Sequence, residues 1–247
     1  MTNFKQETEN RISFIKKILN ASGMNKIVFA NSGGKDAALT GILCKMACED
    51  TLGLILPCSV KRNFTEDKND ALRIAKQFSI ESREIDLSPV KELLLDIMKN
   101  ETAINNTAST NIAPRLRMVA LYTVSAAEGR LVAGTSNKSE FYLGYFTKWG
   151  DGAYDFNPVG DLTATEIYEY LRYFNVPEDI LCKPPSGGLY EGQTDEQELG
   201  VSYEIVDNYI KTGSGNEKDI AIIENFHKTS SHKRAVPVIY SNIKEMV

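Results

Sequence analysis

Asn31-Ser32-Gly33-Gly34-Lys35-Asp36 follows a short apolar run, Lys26-Ile-Val-Phe-Ala30, and precedes a helical pattern from Ala37 to Ala47. A loop so placed sits where a parallel strand ends and a helix begins. The first N–H groups of a helix lack intrahelical partners, and the local dipole favours an anion there. Two adjacent glycines let the backbone close around phosphate oxygens without a Cβ in the way. Lys35 adds a cation, and Asp36 suits the magnesium that accompanies a triphosphate. The Gly-x4-Gly-Lys-Ser/Thr spacing of a Walker A loop is absent. The plainer reading is a tight strand–helix turn that needs glycine. The β run before the loop, and the Ser and Asp around the glycines, favour nucleotide binding.

Outward from this loop the apolar period alternates between 3.6 and two. Helical patterns cover Phe4 to Leu19, Leu39 to Cys48, Glu66 to Phe78, Val90 to Met98 and Ala113 to Ala127. Strand patterns cover Ile27 to Ala30, Thr51 to Leu56, Ser82 to Leu87 and Arg130 to Gly134. The alternation implies an α/β fold, a doubly wound and mostly parallel sheet with helices on both faces. Ligands in such sheets bind beyond the carboxyl ends of the strands. The turns after Ala30 and after Gly134 both lie there. Beyond residue 150 the pattern becomes helical, with Thr163 to Tyr173, Tyr203 to Lys211 and a last helix to about Thr229. Residues 1–247 are expected to form one domain, with a C-terminal helical extension over about 160–247.

The chain has 247 residues, 42% of them hydrophobic, which is enough for a full core. Its 28 basic and 33 acidic residues give a net charge of −5, without a long basic run, so no nucleic-acid partner is expected. No apolar stretch reaches the ~18 residues of a membrane span. The start, Met1-Thr-Asn-Phe-Lys-Gln-Glu7, lacks the apolar core of a signal peptide. Cys44, Cys48, Cys58 and Cys182 contain no Cys-x2-Cys pair and read as buried, reduced thiols rather than a zinc site. A cytoplasmic protein without a membrane partner is expected.

A second constellation follows the fourth strand. Gly134-Thr-Ser-Asn-Lys-Ser-Glu140 clusters a hydroxyl, an amide, a lysine and a carboxylate at a strand end. Gly144-Tyr-Phe-Thr-Lys-Trp-Gly-Asp151 then mixes aromatic faces, a cation and an acid. Stacking surface plus charge suits a dinucleotide bearing a carboxylate. A helix N-cap followed by an ordinary aromatic turn accounts for the same residues.

The loop Ser32-Gly-Gly-Lys-Asp36 resembles that of the ATP pyrophosphatases, which cleave ATP between the α and β phosphates. With Ala113 to Met118, Gly134 to Glu140, Gly144 to Asp151, Asp155 to Pro158, Lys183 to Leu189, Thr194 to Glu196, Leu199-Gly200 and His232-Lys233-Arg234, nearly the whole chain resembles the ammonia-dependent NAD synthetases. The resemblance implies a Rossmann-like fold of the adenine nucleotide α-hydrolase type. It implies amidation of nicotinic acid adenine dinucleotide (deamido-NAD) with ATP and ammonia, Mg²⁺, and usually a homodimer. By the same resemblance Ala30, Asn31, Ser32, Gly33, Gly34, Lys35, Asp36, Ala37, Thr135 and Ser186 bind ATP. Asp36 and Glu140 bind Mg²⁺. Arg115, Lys148, Asp155, His232 and Lys233 contact deamido-NAD, and Asp151 receives ammonium. Two positions depart from the family pattern. Ala37 stands where most members have Ser, and Ala164 where most have Lys. Lys35, inside the phosphate loop, is the cation expected to substitute for the missing lysine, which makes it a catalytic candidate beside Asp151.

The expected chemistry is attack of the acceptor carboxylate on the α-phosphorus, then attack of ammonia on the acyl-adenylate. Pro184 to Gln193 and Thr212 to Asn216 are the expected mobile covers. Two rivals remain: another ATP pyrophosphatase, such as a thiolating or GMP-forming enzyme, and a nucleotide-binding relative without catalysis.

Overall fold

Ile27-Val-Phe-Ala30 is apolar at every position, so both faces of any strand it forms need cover. The computed structural model, which describes residues 3–240, supplies that cover. The chain runs through α1 (Phe4–Ser22), β1 (Ile27–Ala30), α2 (Lys35–Ala47), β2 (Thr51–Ile55), α3 (Lys61–Phe64), α4 (Glu66–Gln77) and β3 (Glu81–Glu84). It continues through α5 (Ser88–Met98), α6 (Asn106–Thr110), α7 (Ile112–Glu128), β4 (Leu131–Ala133), α8 (Lys138–Leu143), α9 (Ala164–Tyr173) and α10 (Glu178–Leu181). It ends with α11 (Asp195–Leu199), α12 (Tyr203–Thr212), α13 (Glu217–Thr229) and α14 (Ser231–Arg234). The first two residues of the polar start, and residues 241–247 of the expected extension, lie outside the described residues.

The four strands are parallel, in the order β3-β2-β1-β4. Alternate side chains point to opposite faces. Ile27 and Phe29 of β1, with Leu131 and Ala133 of β4, join α1, α2 and α9 in one core layer. Val28, Leu52, Leu54 and Val132 join Ala113 and Leu121 of α7 in the other. The chain leaves β1 for β2 and β3 on one side, then returns to β4 on the other. The crevice at the carboxyl ends of β1 and β4 is therefore the topological switch point, where open α/β sheets bind ligands.

The third strand is shorter than its periodicity implies. Regular pairing stops at Glu84, although Ile85 N–H still donates to Ile55 (3.0 Å) and Leu87 N–H to Pro57 (2.9 Å). The strand is an exposed sheet edge bearing charge, with Lys68 paired to Glu84 at 2.6 Å and Arg83 paired to Glu128. Such charges guard an edge against pairing with another chain. A third apolar cluster joins Leu143 of α8, Ala164 of α9, and Leu199, Tyr203, Val206 and Ile223 from the C-terminal helices. It fastens the helical extension onto the loop side of β4.

Candidate active site

The phosphate loop is shaped by close packing. Asn31 N–H extends the ladder to Leu54 at 2.8 Å, and the Asn31 amide donates to the Ala71 carbonyl at 3.2 Å. Gly33 has φ +79°, and a Cβ there would lie 2.2 Å from the Asp67 carbonyl oxygen. Only glycine allows this turn to nest against the start of α4. Gly33→Ala is expected to cost at least ~2 kcal/mol, through the φ penalty plus a backbone clash. Thermal melting reads this out, and an unchanged Tm would refute the packing argument.

Lys35 opens α2 and is only 9% exposed. Its Nζ lies 2.6 Å from Asp36 Oδ2 and 3.9 Å from Glu140 Oε1. The ring centres of Tyr168 and Tyr203 stand 5.8 and 5.4 Å from the ammonium. Burial works against the charged amine, but Asp36 and Glu140 outweigh it and hold Lys35 above the ordinary lysine range. Asp36 comes from the first turn of α2, just after β1, and Glu140 from the first turn of α8, just after β4. Asn137 braces them: it caps α8, pairs reciprocally with Glu140, and donates from Nδ2 to Asp36 Oδ1 at 3.0 Å. Thr40 Oγ1 of α2, donating to the Gly134 carbonyl just past β4 at 3.3 Å, ties the same two parts of the fold. Burial, and Asp36 next, push the Glu140 carboxyl well above the usual glutamate range, with Lys35 opposing. Asp195 is likewise raised by burial, against Lys35. Asp36 and Glu140 are hard oxygen donors of the kind Mg²⁺ takes. Among the described residues, however, no group of three or more His, Cys, Asp or Glu is arranged to hold a metal ion.

One cavity of about 780 Å³ joins these parts, within the usual range for a small-molecule site. The whole expected ATP set from Ala30 to Ala37 lines it, with Thr135, Ser186 and Glu140. So do Asp151 and Lys233. Asp151 Oδ1 accepts from Thr147 N–H at 2.9 Å. Water reaches Asp151, yet protein surrounds it within the cleft, and that enclosure pushes its carboxyl above the ordinary aspartate range. The access of water limits the rise. Lys233 donates to the Gly144 and Phe146 carbonyls, both at 2.8 Å.

Arg115, Lys148, Asp155 and His232 are not among the cavity-lining residues. Asp155 is spent on its own chain: Oδ2 accepts from Val132 N–H at 2.8 Å and Oδ1 from Tyr122 at 3.1 Å. Lys148 Nζ donates to the His232 carbonyl at 2.7 Å, so the two fasten α14 to the Gly144 turn. Arg115 and His232 are exposed. The Pro184 to Gln193 segment lines the cavity, whereas no residue of Thr212 to Asn216 does. That second stretch is only the exposed link between α12 and α13. Ala164 is fully buried in the third cluster, which also holds Tyr203. Cys44, Cys48 and Cys58 are buried, but Cys182 is exposed.

Sequence reasoning assigned no role to Asn137, Tyr168, Asp195 or Tyr203. Tyr168 was within reach, since it lies four residues after Ala164 and so on the same face of α9. Asp195 sits in the Thr194 to Glu196 segment, but only the fold brings it near Lys35.

The NAD synthase family model matches residues 7–241. The chain belongs to that family. An NH3-dependent NAD+ synthetase of Carboxydothermus hydrogenoformans is 38% identical over 240 residues, spanning 96% of this chain and 98% of the relative. Among solved structures, this NAD synthase family member matches an NMN synthetase from Francisella tularensis with a TM-score of 0.91 at 32% identity, covering 97% and 99% of the two chains. It matches an NH3-dependent NAD synthetase from Campylobacter jejuni with a TM-score of 0.78 at 31% identity, again over 97% and 99%. The fold class expected from the sequence is that of these structures.

Proposed function

We infer that the chain is a ligase that converts deamido-NAD to NAD with ATP and ammonia, releasing AMP and pyrophosphate. The observation that carries this reading is the single cavity shared by the phosphate loop, the Asp36–Glu140 pair and Asp151. The acceptor carboxylate attacks the α-phosphorus, and the bond to the bridging oxygen of pyrophosphate breaks. The free amides of the α2 N-terminus and Lys35 stabilise charge on the leaving pyrophosphate. Mg²⁺ held by Asp36 and Glu140 would add charge neutralisation there. Ammonia then attacks the acyl carbon, and AMP leaves with one former carboxylate oxygen. Only NH3 is nucleophilic, so Asp151 takes the proton from ammonium. The Pro184–Gln193 segment keeps water from the acyl-adenylate. It is tied down by Glu198, which accepts from Tyr145, Tyr190 and Gln193.

The Asp151 role has a pH signature. A raised carboxyl is protonated, and lost as a base, as pH falls through its pKa. Asp151→Asn is expected to lower the rate with ammonium about tenfold near neutrality. That is less than the ~10²–10⁴-fold typical of a proton-transfer group, because some free NH3 bypasses the base. The deficit should shrink in alkaline buffer, where free ammonia is abundant. A loss that stays constant with pH would remove the base role.

Ammonium is expected to support turnover with purified protein, and glutamine alone is not. Equal rates with ammonia-free glutamine would contradict the donor assignment. Residues 1–247 act as one catalytic unit in this reading, because the third cluster ties the extension to α8 and α9. A cytoplasmic setting fits the buried thiols and the lack, among the described residues, of any helix long and apolar enough to cross a membrane. A homodimer fits the exposed apolar stripe Val90, Leu93 and Ile97 on α5, with Val119 on the adjacent α7. Arg115 shares the Val119 face of α7, so a second copy there would enclose it.

A smaller acceptor is the second reading. The likeness to a relative named NMN synthetase has the higher TM-score, 0.91 against 0.78, and four of the five expected dinucleotide contacts lie off the cavity. Both observations favour nicotinic acid mononucleotide over the dinucleotide. Pyrophosphate release measured with each acceptor decides: a higher kcat/KM for the mononucleotide would replace the first reading.

A further inference from the structure

We propose that Lys35 is a tethered cation that occupies the Asp36–Glu140 acid pair when no nucleotide is bound, so that a divalent ion enters only together with the triphosphate. The proposal rests on the ATP-ligase reading and adds an order of binding to it. Its ground is geometric. The ammonium contacts both carboxylates at 2.6 and 3.9 Å, and it is enclosed between the Tyr168 and Tyr203 rings. Two carboxylates are a minority of the six oxygens Mg²⁺ requires, and among the described residues no third acid, His or Cys completes a metal-binding group. An ammonium and a divalent cation repel strongly at such separations, so the two exclude one another. A triphosphate removes the conflict in two ways. Its oxygens supply further metal ligands, and they give the Lys35 ammonium a new anionic partner at the N-terminus of α2. The flexible four-carbon stem of lysine permits that move.

Mn²⁺ binding, followed by titration calorimetry and by the paramagnetic resonance of free Mn²⁺, tests the exclusion. Without nucleotide, wild type should bind Mn²⁺ weakly. Lys35→Met should bind it at least about tenfold more tightly, because the competing charge is gone. Adding Asp36→Asn to Lys35→Met should abolish the gain. Lys35→Gln, which keeps a donor for Asp36 without the charge, should show the same gain and serves if the Met variant melts early. With a non-hydrolysable ATP analogue, wild type and the two single Lys35 variants should bind Mn²⁺ within a few-fold of one another. Equal nucleotide-free affinities for wild type and both variants would overturn the proposal, as would tight nucleotide-free binding by wild type. Failure of the ligase reading would instead appear as no binding of the ATP analogue, whatever the Mn²⁺ result.

Discussion

Asp36→Asn and Glu140→Gln are each expected to lower kcat by about 10²–10³-fold, the loss typical of removing one group that stabilises developing charge in a water-poor site. Both changes keep shape and remove charge. In the first variant the new amide oxygen can still accept from Asn137 Nδ2. In the second it can still accept from Asn137 N–H, because a glutamine serves the capping box as a glutamate does. The fold should therefore survive, with a melting temperature close to wild type. Part of the Asp36→Asn defect comes through Lys35, which loses its 2.6 Å partner while remaining buried. Steady-state kinetics with saturating ATP, alongside thermal melting, separates the cases. Wild-type kcat in either variant would remove that residue from the site. A loss of kcat matched by collapse of the melting transition would make its role structural.

Lys35→Ala is expected to lose ~2–4 kcal/mol of transition-state stabilisation, or roughly 30- to 1,000-fold in rate. A solvent-facing first-turn lysine would give a change within about twofold. That alternative fits poorly with a residue 9% exposed, in contact with two carboxylates and flanked by two tyrosine rings. Restoring a lysine at position 164 is the companion experiment, and the burial of Ala164 sets its terms. Ala164→Lys alone has to bury an amine inside the third cluster and should destabilise the protein by several kcal/mol. In the Lys35→Ala background Asp36 and Glu140 are short of a cation that the new amine can supply. Partial recovery of kcat is therefore expected only in the double variant. Additive losses would show that the two positions do not serve one charge.

The loop that lines the cavity at residues 31–36 was legible because it depends on local sequence. A strand end, two glycines and an acid specify the loop at residues 31–36, and the β–α alternation specifies which end of the sheet carries it. The remaining parts depend on distances that no period encodes. Helices of four to six residues such as α3, α8 and α11 are too short to mark a phase, so the capping geometry that joins Asn137 to Asp36 was read only as an alternative to a polar cluster. Tyr203 is about 170 residues from Lys35, and their contact follows from the folding of the extension over β4. Asp155 shows what a motif leaves out. The resemblance implies a dinucleotide contact there, whereas the structure shows its carboxylate accepting from the Val132 N–H at the sheet margin. Ile85 and Leu87 keep the alternation, so the sequence pattern of the third strand outruns its regular pairing, which stops at Glu84. Beyond Glu84 only the single bonds from Ile85 N–H to Ile55 and from Leu87 N–H to Pro57 continue the ladder.

The most direct test of the account follows oxygen atoms. Deamido-NAD carrying ¹⁸O in both carboxylate oxygens is turned over with ATP and ammonium, and the products are weighed by mass spectrometry. Attack of the carboxylate on the α-phosphorus should leave one ¹⁸O in AMP, none in pyrophosphate, and one in the carboxamide of NAD. Label in inorganic phosphate together with ADP, or AMP free of label, would contradict an acyl-adenylate formed at this site.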